Sequence, residues 1–265
     1  LHYEWVMKSI EKEKNILVEK PATVNYLQIE NIKNNLKNKN IFFSEAFMYR
    51  YLPHITKVVD LLKNKVIGNL VSMDSFFGKD IARKKKIFGI KLNKKKKPNR
   101  NNRLYNKELG GGAILDLGCY PVSFSILIAS LISKFDFTKI KVLNKKKDIG
   151  PTGVDMNSFA ELDFGNNFRS TIGVSFTQDL GKKTKIIGSK GELIIEDTWH
   201  GNPSLINISG ENKEKIEIKC HDSIYKYEID ILSKCILENK KEPNFPGMTI
   251  NETLENMRIL DKWLN

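Results

Sequence analysis

Two stretches of this 265-residue chain carry residue types that could move a proton. In "GGGAILDLGCYP", Asp116 and Tyr120 stand four apart, so on a helix they share a face one turn apart. An aspartate and a tyrosine on one face of an otherwise apolar helix are costly to bury unless they meet partners. The other stretch is Glu19-Lys20-Pro21, at the end of the short buried-strand pattern at 15–19. In open α/β sheets, ligands sit beyond the C-terminal ends of the strands, which points Lys20 into such a crevice. Pro21 fixes the backbone just behind it. A tyrosine hydroxyl near pKa 10 is a poor base at neutral pH, and a neighbouring ammonium would lower that value and favour the phenolate. Tyr120 and Lys20 could then relay a proton to or from a substrate hydroxyl while hydride leaves its carbon. Each stretch also has a plainer reading: a strand-end lysine in water, and a hydrogen-bonded structural Asp–Tyr pair. No tyrosine has a lysine four residues on, so a Tyr–Lys pair must come from distant segments.

Other constellations are absent from the sequence. There is no GxSxG, HExxH or P-loop. The four histidines show no metal-ligand spacing, and no metal site is expected. Gly110-Gly111-Gly112 is not GxGxxG and reads as a tight turn before a helix.

The elements that must position these residues follow from periodicity. Residues 1–12 read as helix, 15–19 as strand, 23–38 as helix with Tyr26, Ile29, Ile32 and Leu36 on one stripe, and 41–47 as strand. Pro53 opens the next helix. This alternation is the grammar of a doubly wound parallel sheet. A change follows between about Phe47 and Pro53. Residues 69–78 are strand-like, and beyond 139 strands dominate. "AELDF" and "FRSTIGVSF" alternate around a turn at 165–167, and "TKIIGSKGELIIED" turns at 189–191. Helices at about 225–238 (Tyr225, Ile229, Leu232, Ile236) and 250–264 close the chain. The fold class expected is α/β plus α+β: a partial Rossmann domain over 1–48, then a mostly antiparallel sheet domain with helices on one face over 49–265.

Composition narrows the class. The apolar fraction is 40%, the charged fraction 28% and the net charge +13. Three scattered cysteines fit a reducing cytosol and neither a zinc ribbon nor a disulfide scaffold. No secretory signal is visible, and the uncharged run at 117–133 reads as a buried core helix rather than a membrane span. The densest basic run, at 83–100, lacks nucleic-acid-binding signatures and reads as a solvated loop; a mouth for anionic substrate and a nucleic-acid surface are the alternatives.

Five motifs in order resemble the Gfo/Idh/MocA oxidoreductases: "LHYEWVMKSIEKEKNILVEKPATVN", "SEAFMYRYLPH", "NRLYNKELGGGAILDLGCYPV", "GSKGELIIEDTW" and "MTINETLENMRILDKW". The resemblance spans nearly the whole chain. Tyr120 in the place of a more common histidine points to the branch of glucose–fructose oxidoreductase and dimeric dihydrodiol dehydrogenase. The resemblance implies NAD- or NADP-dependent hydride transfer at a hydroxyl–carbonyl pair of a sugar, polyol or cyclic diol. It implies Tyr120 as general acid/base, Asp116 as its orienting neighbour and Lys20 near the nicotinamide and the reacting oxygen. Glu19 and Pro21 would line the cofactor, Arg50 would contact cofactor or substrate, and His2 would lie near the nicotinamide end. It also suggests homo-oligomers formed through the C-terminal sheet. A non-catalytic binding or interaction protein of the same ancestry is the alternative. The family's GxGxxG turn and first βαβ units have no counterpart in this sequence, about 70 to 80 residues by the usual size of such a half. An N-terminally truncated chain is therefore expected, with an exposed Rossmann edge and weak or no cofactor binding. Native-like NAD(P)H affinity of this chain in a fluorescence titration would overturn that expectation.

Overall fold

The computed structural model describes residues 1–81, 97–133, 135–165, 167–211, 213–220 and 223–265. Residues 83–96, most of the basic run, lie outside the described residues, as does His221.

The chain begins with α1 (His2–Glu11), β1 (Ile16–Glu19), α2 (Tyr26–Leu36) and β2 (Phe43–Ala46). β1 and β2 pair in parallel, with Glu19 opposite Ala46, and form a two-stranded sheet of their own. Asn25 caps α2 by accepting the Gln28 N–H, and α2 buries Ile29 and Ile32 as the stripe requires. A 3-10 turn, Met48–Tyr51, leads to α3 (Pro53–Lys63), which has its proline in the first helical turn.

Among the described residues the second sheet has eight strands: β3 (Leu70–Gly78), β4 (Lys141–Ile149), β5 (Asp155–Asp163), β6 (Arg169–Ser175), β7 (Thr184–Gly188), β8 (Gly191–Ile195), β9 (Leu205–Gly210) and β10 (Glu214–Glu217). Their order is β10-β9-β8-β7-β3-β6-β5-β4. Only β3 and β6 pair in parallel; every other neighbour is antiparallel. The expected alternation is seen on β5 and β6, where Ala160, Leu162, Ile172 and Val174 turn inward and are buried. That face is covered by α4 (Cys119–Ala129), every residue of which is buried, and by α6 (Ile250–Leu264). Among the described residues one helical stretch, Lys107–Ala129, is long and apolar enough to cross a membrane, but 94% of its most apolar window is buried inside the fold. That is the signature of a core helix.

The expected stripe on α5 (Tyr225–Leu237) needs correction. Glu228, Leu232 and Cys235 are its buried residues, whereas Tyr225 and Ile229 stay more than half exposed. Leu232 and Cys235 pack against Phe42 and Tyr51. The helix is oriented by that contact and not by its most hydrophobic arc.

Side chains from both sheets join one buried cluster, running from Val6 and Ile16 to Trp263. α6 packs against both α2 and α4. Trp263 is fully buried, and a Cβ added at Gly118 would lie 2.9 Å from its ring. Glycine there lets the segment ahead of α4 approach α6. Gly118→Ala is expected to lower stability by about 1–3 kcal/mol through overpacking, measured as a lower urea midpoint at unchanged m-value.

Candidate active site

The site begins at the C-terminal end of β1. There the chain turns through Lys20 and Pro21, with a cis peptide between them. The turn is held from two sides: the Ala22 N–H donates to Glu45 Oε1 of β2 at 2.9 Å, and Pro21 O lies 2.9 Å from His2 Nδ1 of α1. Lys20 is thereby aimed at residues nearly a hundred positions later. Its Nζ donates to the Asp116 carbonyl oxygen at 2.6 Å, lies 3.7 Å from Asp116 Oδ1, and sits 4.8 Å from the centroid of the Tyr120 ring. The Lys20 and Asp116 side chains keep 14% and 13% exposure, so the cluster is largely dry but reachable.

The segment carrying Asp116 and Tyr120 is not one regular helix. Ile114–Gly118 forms a π-helical turn and α4 starts at Cys119. Such turns are rare and favour functional sites. Pro121 has no N–H to offer the carbonyl five residues back, which is that of Asp116. That carbonyl accepts the Lys20 ammonium instead. Asp155 caps the segment from β5: its Oδ2 accepts the Ile114 N–H at 2.7 Å. Burial pushes the Asp155 carboxyl up to about 6. Gly112 has φ +116, and a Cβ there would lie 2.2 Å from Asp155 Oδ1.

Tyr120 is 7% exposed and ringed by aromatics. Phe47, Phe77 and Trp199 approach it edge to face, with centroids 5.6, 5.2 and 5.6 Å away. Its hydroxyl points to Met48 Sδ at 3.8 Å. Burial raises the Tyr120 phenol well above the ordinary tyrosine range, and Cys119 and Glu19 add to the rise. The expectation that Lys20 would lower this value is therefore corrected: the ammonium faces the ring, as a cation–π contact, and desolvation of the phenolate dominates. Tyr120 stands as a protonated acid at neutral pH.

Asp116 meets a second cation that sequence reasoning missed. Both terminal nitrogens of Arg103 lie 3.1 Å from Asp116 Oδ1. Arg103 is itself largely exposed, so its charge is well screened. Asp155 was missed as well. It looks like any polar residue at a strand start, and no local spacing links it to a helix 41 residues earlier.

Of the remaining expected site residues, His2 reaches the Lys20–Pro21 turn, and Glu19 is exposed on the last position of β1. Arg50 does not join them. It is 0% exposed and is spent on the protein itself. Its Nη1 donates to Glu252 Oε1 at 2.9 Å and Pro246 O at 3.1 Å, and its Nη2 to Ser123 O at 2.6 Å. The expectation of a cofactor or substrate contact is corrected to a buried ion pair locking the 3-10 turn to α4 and α6. Among the described residues no group of three or more His, Cys, Asp or Glu is placed to hold a metal ion.

A parallel-strand end carrying Lys20, a largely buried Lys20–Asp116–Tyr120 cluster and a mostly antiparallel sheet beneath it make up the site. The C-terminal domain family of the Gfo/Idh/MocA proteins matches residues 55–194. The chain belongs to the Gfo/Idh/MocA oxidoreductase family. It is 27% identical over 273 residues to a trans-1,2-dihydrobenzene-1,2-diol dehydrogenase of Xenopus tropicalis, an alignment covering all of this chain and 74% of that one. Among solved structures, a 3-ketoreductase from Actinomadura kijaniata, in complex with NADP and TDP-benzene, superposes with a TM-score of 0.79 at 19% identity. That match covers 98% of this chain and 73% of the other. A levoglucosan dehydrogenase, in complex with NADH and levoglucosan, gives 0.79 at 15% identity, covering 99% and 74%.

Arg50→Ala is expected to destabilise the chain by about 3–5 kcal/mol, because the largely buried Glu252 would lose its cation and keep only the Thr249 cap. A thermal or urea melt indistinguishable from that of the unmodified chain would return Arg50 to the ligand-contact role.

Proposed function

We propose that this chain carries the reacting end of an NAD- or NADP-dependent oxidoreductase, acting on a CH–OH or carbonyl group of a sugar, polyol or cyclic diol. The observation that supports this most is the convergence of Lys20 with Asp116 and Tyr120 from segments far apart in sequence. The relatives support the substrate class through their names, a dihydrobenzene-diol dehydrogenase, a 3-ketoreductase and a levoglucosan dehydrogenase.

The residues present fit the nicotinamide end of a cofactor. Lys20, Pro21 and His2 make one ordered corner at a strand end, and Glu19 flanks it. When bound there, NAD(P) would supply the hydride acceptor or donor. The chain's own part is acid–base and positional. Lys20 would hold the substrate oxygen by charge and hydrogen bond, and Asp116, braced by Lys20 and Arg103, would orient the substrate. Tyr120, protonated at rest, would give its proton to the oxygen of a carbonyl being reduced. In the oxidative direction it would accept a proton only once the lysine and the substrate lower the cost of the phenolate.

The remaining features are read in the same frame. Residues 1–48 would be the cofactor-side unit and 49–265 the substrate and assembly unit. The face of the eight-stranded sheet turned away from α4 carries Phe76 and Phe159, 6.3 Å apart, with Phe159 38% exposed, and is the surface through which homo-oligomers would form. Three free cysteines suit a cytoplasmic setting.

Lys20→Ala and Tyr120→Phe are each expected to cut NAD(P)H-linked turnover on a panel of polyols and their ketones by about 100-fold or more. Circular dichroism spectra should stay unchanged. The measurement is made with whatever coding sequence precedes Leu1 included. Undiminished turnover in both variants would sink the assignment.

A further inference from the structure

Glu45 lies at the C-terminal end of β2, opposite Val18 of β1, and is 1% exposed. Its Oε1 is occupied by the Ala22 N–H, two residues beyond Lys20. Its Oε2 is buried and has no hydrogen-bond partner among the described residues. A carboxylate left in that state would be expensive, since one oxygen has lost water and gained nothing. The groups facing it come from every element packed around it: Lys20 from the β1 turn, Arg50 from the 3-10 turn, Thr253 from α6 and Cys119 from the start of α4. Thr253 Oγ1 is close enough to favour the anion, yet it too makes no hydrogen bond of good geometry.

We propose that Glu45 is the positioning residue for Lys20: its carboxyl pins the turn that carries the lysine, and the charge it gains or loses sets how firmly the ammonium is held against Asp116 and Tyr120. The geometry gives Glu45 both roles at once. The Ala22 bond needs only a carbonyl-type acceptor, which the neutral acid also supplies. The unpartnered oxygen is free to carry a proton without breaking the Ala22 bond. Burial is the largest influence and pushes this carboxyl up to about 7, although the Ala22 N–H, Thr253, Arg50 and Lys20 all pull it down. The folded state therefore binds the proton more tightly than the unfolded chain. The associated stability is complete below the ordinary value of 4.5 and is lost as pH rises towards 7. Above that the carboxyl is an anion, and its charge adds to the hold on the Lys20 ammonium.

This inference rests on the Lys20–Tyr120 reading of the site, but its test needs neither substrate nor cofactor. The Glu45 carboxyl is followed by 13C NMR and the Lys20 ammonium by 15N NMR across pH 5–9, in the unmodified chain and in Glu45→Gln, Glu45→Ala and Lys20→Met. The expected result is a carboxyl step near neutral pH with the Lys20 signal moving at the same midpoint. Glu45→Gln keeps the acceptor for Ala22 and should make the Lys20 signal insensitive to pH in that range while preserving the fold. Lys20→Met should move the Glu45 midpoint to higher pH, because a charge that favours the anion is gone. Glu45→Ala should loosen the turn and broaden the Lys20 signal; if it fails to fold, the other two variants still decide. A Glu45 step without any response at Lys20, or a Lys20 response that survives in Glu45→Gln, overturns the proposal. Loss of turnover in Lys20 and Tyr120 variants without this coupling would leave the function standing and remove only Glu45 from it.

Discussion

The fold depends on one desolvated guanidinium. Arg50 leaves the end of the two-stranded sheet and is held at both terminal nitrogens by protein: Glu252 of α6, the Ser123 carbonyl of α4 and the Pro246 carbonyl of the loop before α6, while its Nε is buried with no hydrogen-bond partner among the described residues. Glu252 is doubly engaged, since its other oxygen closes the capping box of α6 at Thr249. Moving such a charge out of water is affordable only when every neighbour is placed for it. The placement of those neighbours sets the rest. α4 and α6 are held to the 3-10 turn, Met48 and Tyr49 are brought under Tyr120, and Ser123 bonds the Tyr49 hydroxyl at 2.6 Å.

On that frame the site is a contest between charge and burial. Lys20, Asp116 and Arg103 form a chain of alternating charge at the solvent edge, where Coulomb attraction is screened. Tyr120, Cys119 and Glu45 lie deeper, and each is driven towards its neutral form by desolvation. The lysine stands at the boundary. It meets both the ionised rim, through Asp116, and the aromatic interior, through the Tyr120 ring.

Much of the element pattern was legible because it is local. Tyr26, Ile29 and Ile32 announced α2, Pro53 announced the start of α3, and the alternation around 160–176 announced the β5–β6 hairpin. β4 was hidden, because "KVLNKKKDI" is a charged edge strand with exposed lysines and no apolar alternation. The α5 stripe misled, because hydrophobic spacing reports an arc and not the partner that will cover it. Arg50 misled for a related reason. A lone arginine in a motif has the same spelling whether it faces a ligand or a carboxylate 202 residues later.

By itself the sequence determined the early alternation of helix and strand, the β5–β6 and β7–β8 hairpins, the strand-end position of Lys20, and the helical neighbourhood of Asp116 and Tyr120, since each follows from steric and periodic rules within a few residues. Tertiary structure decided everything that needs two distant segments. It placed the Lys20 ammonium on the Asp116 carbonyl across 96 positions and turned the Tyr120 hydroxyl inward to Met48. It buried Glu45 within the influence of Lys20 and Arg50, and it raised the proton affinity of the Tyr120 phenol where a nearby ammonium alone would lower it. The physical reason is that proton affinity depends on the dielectric around a group and on charges a few ångströms away, and neither is encoded in the residues next to it in the chain.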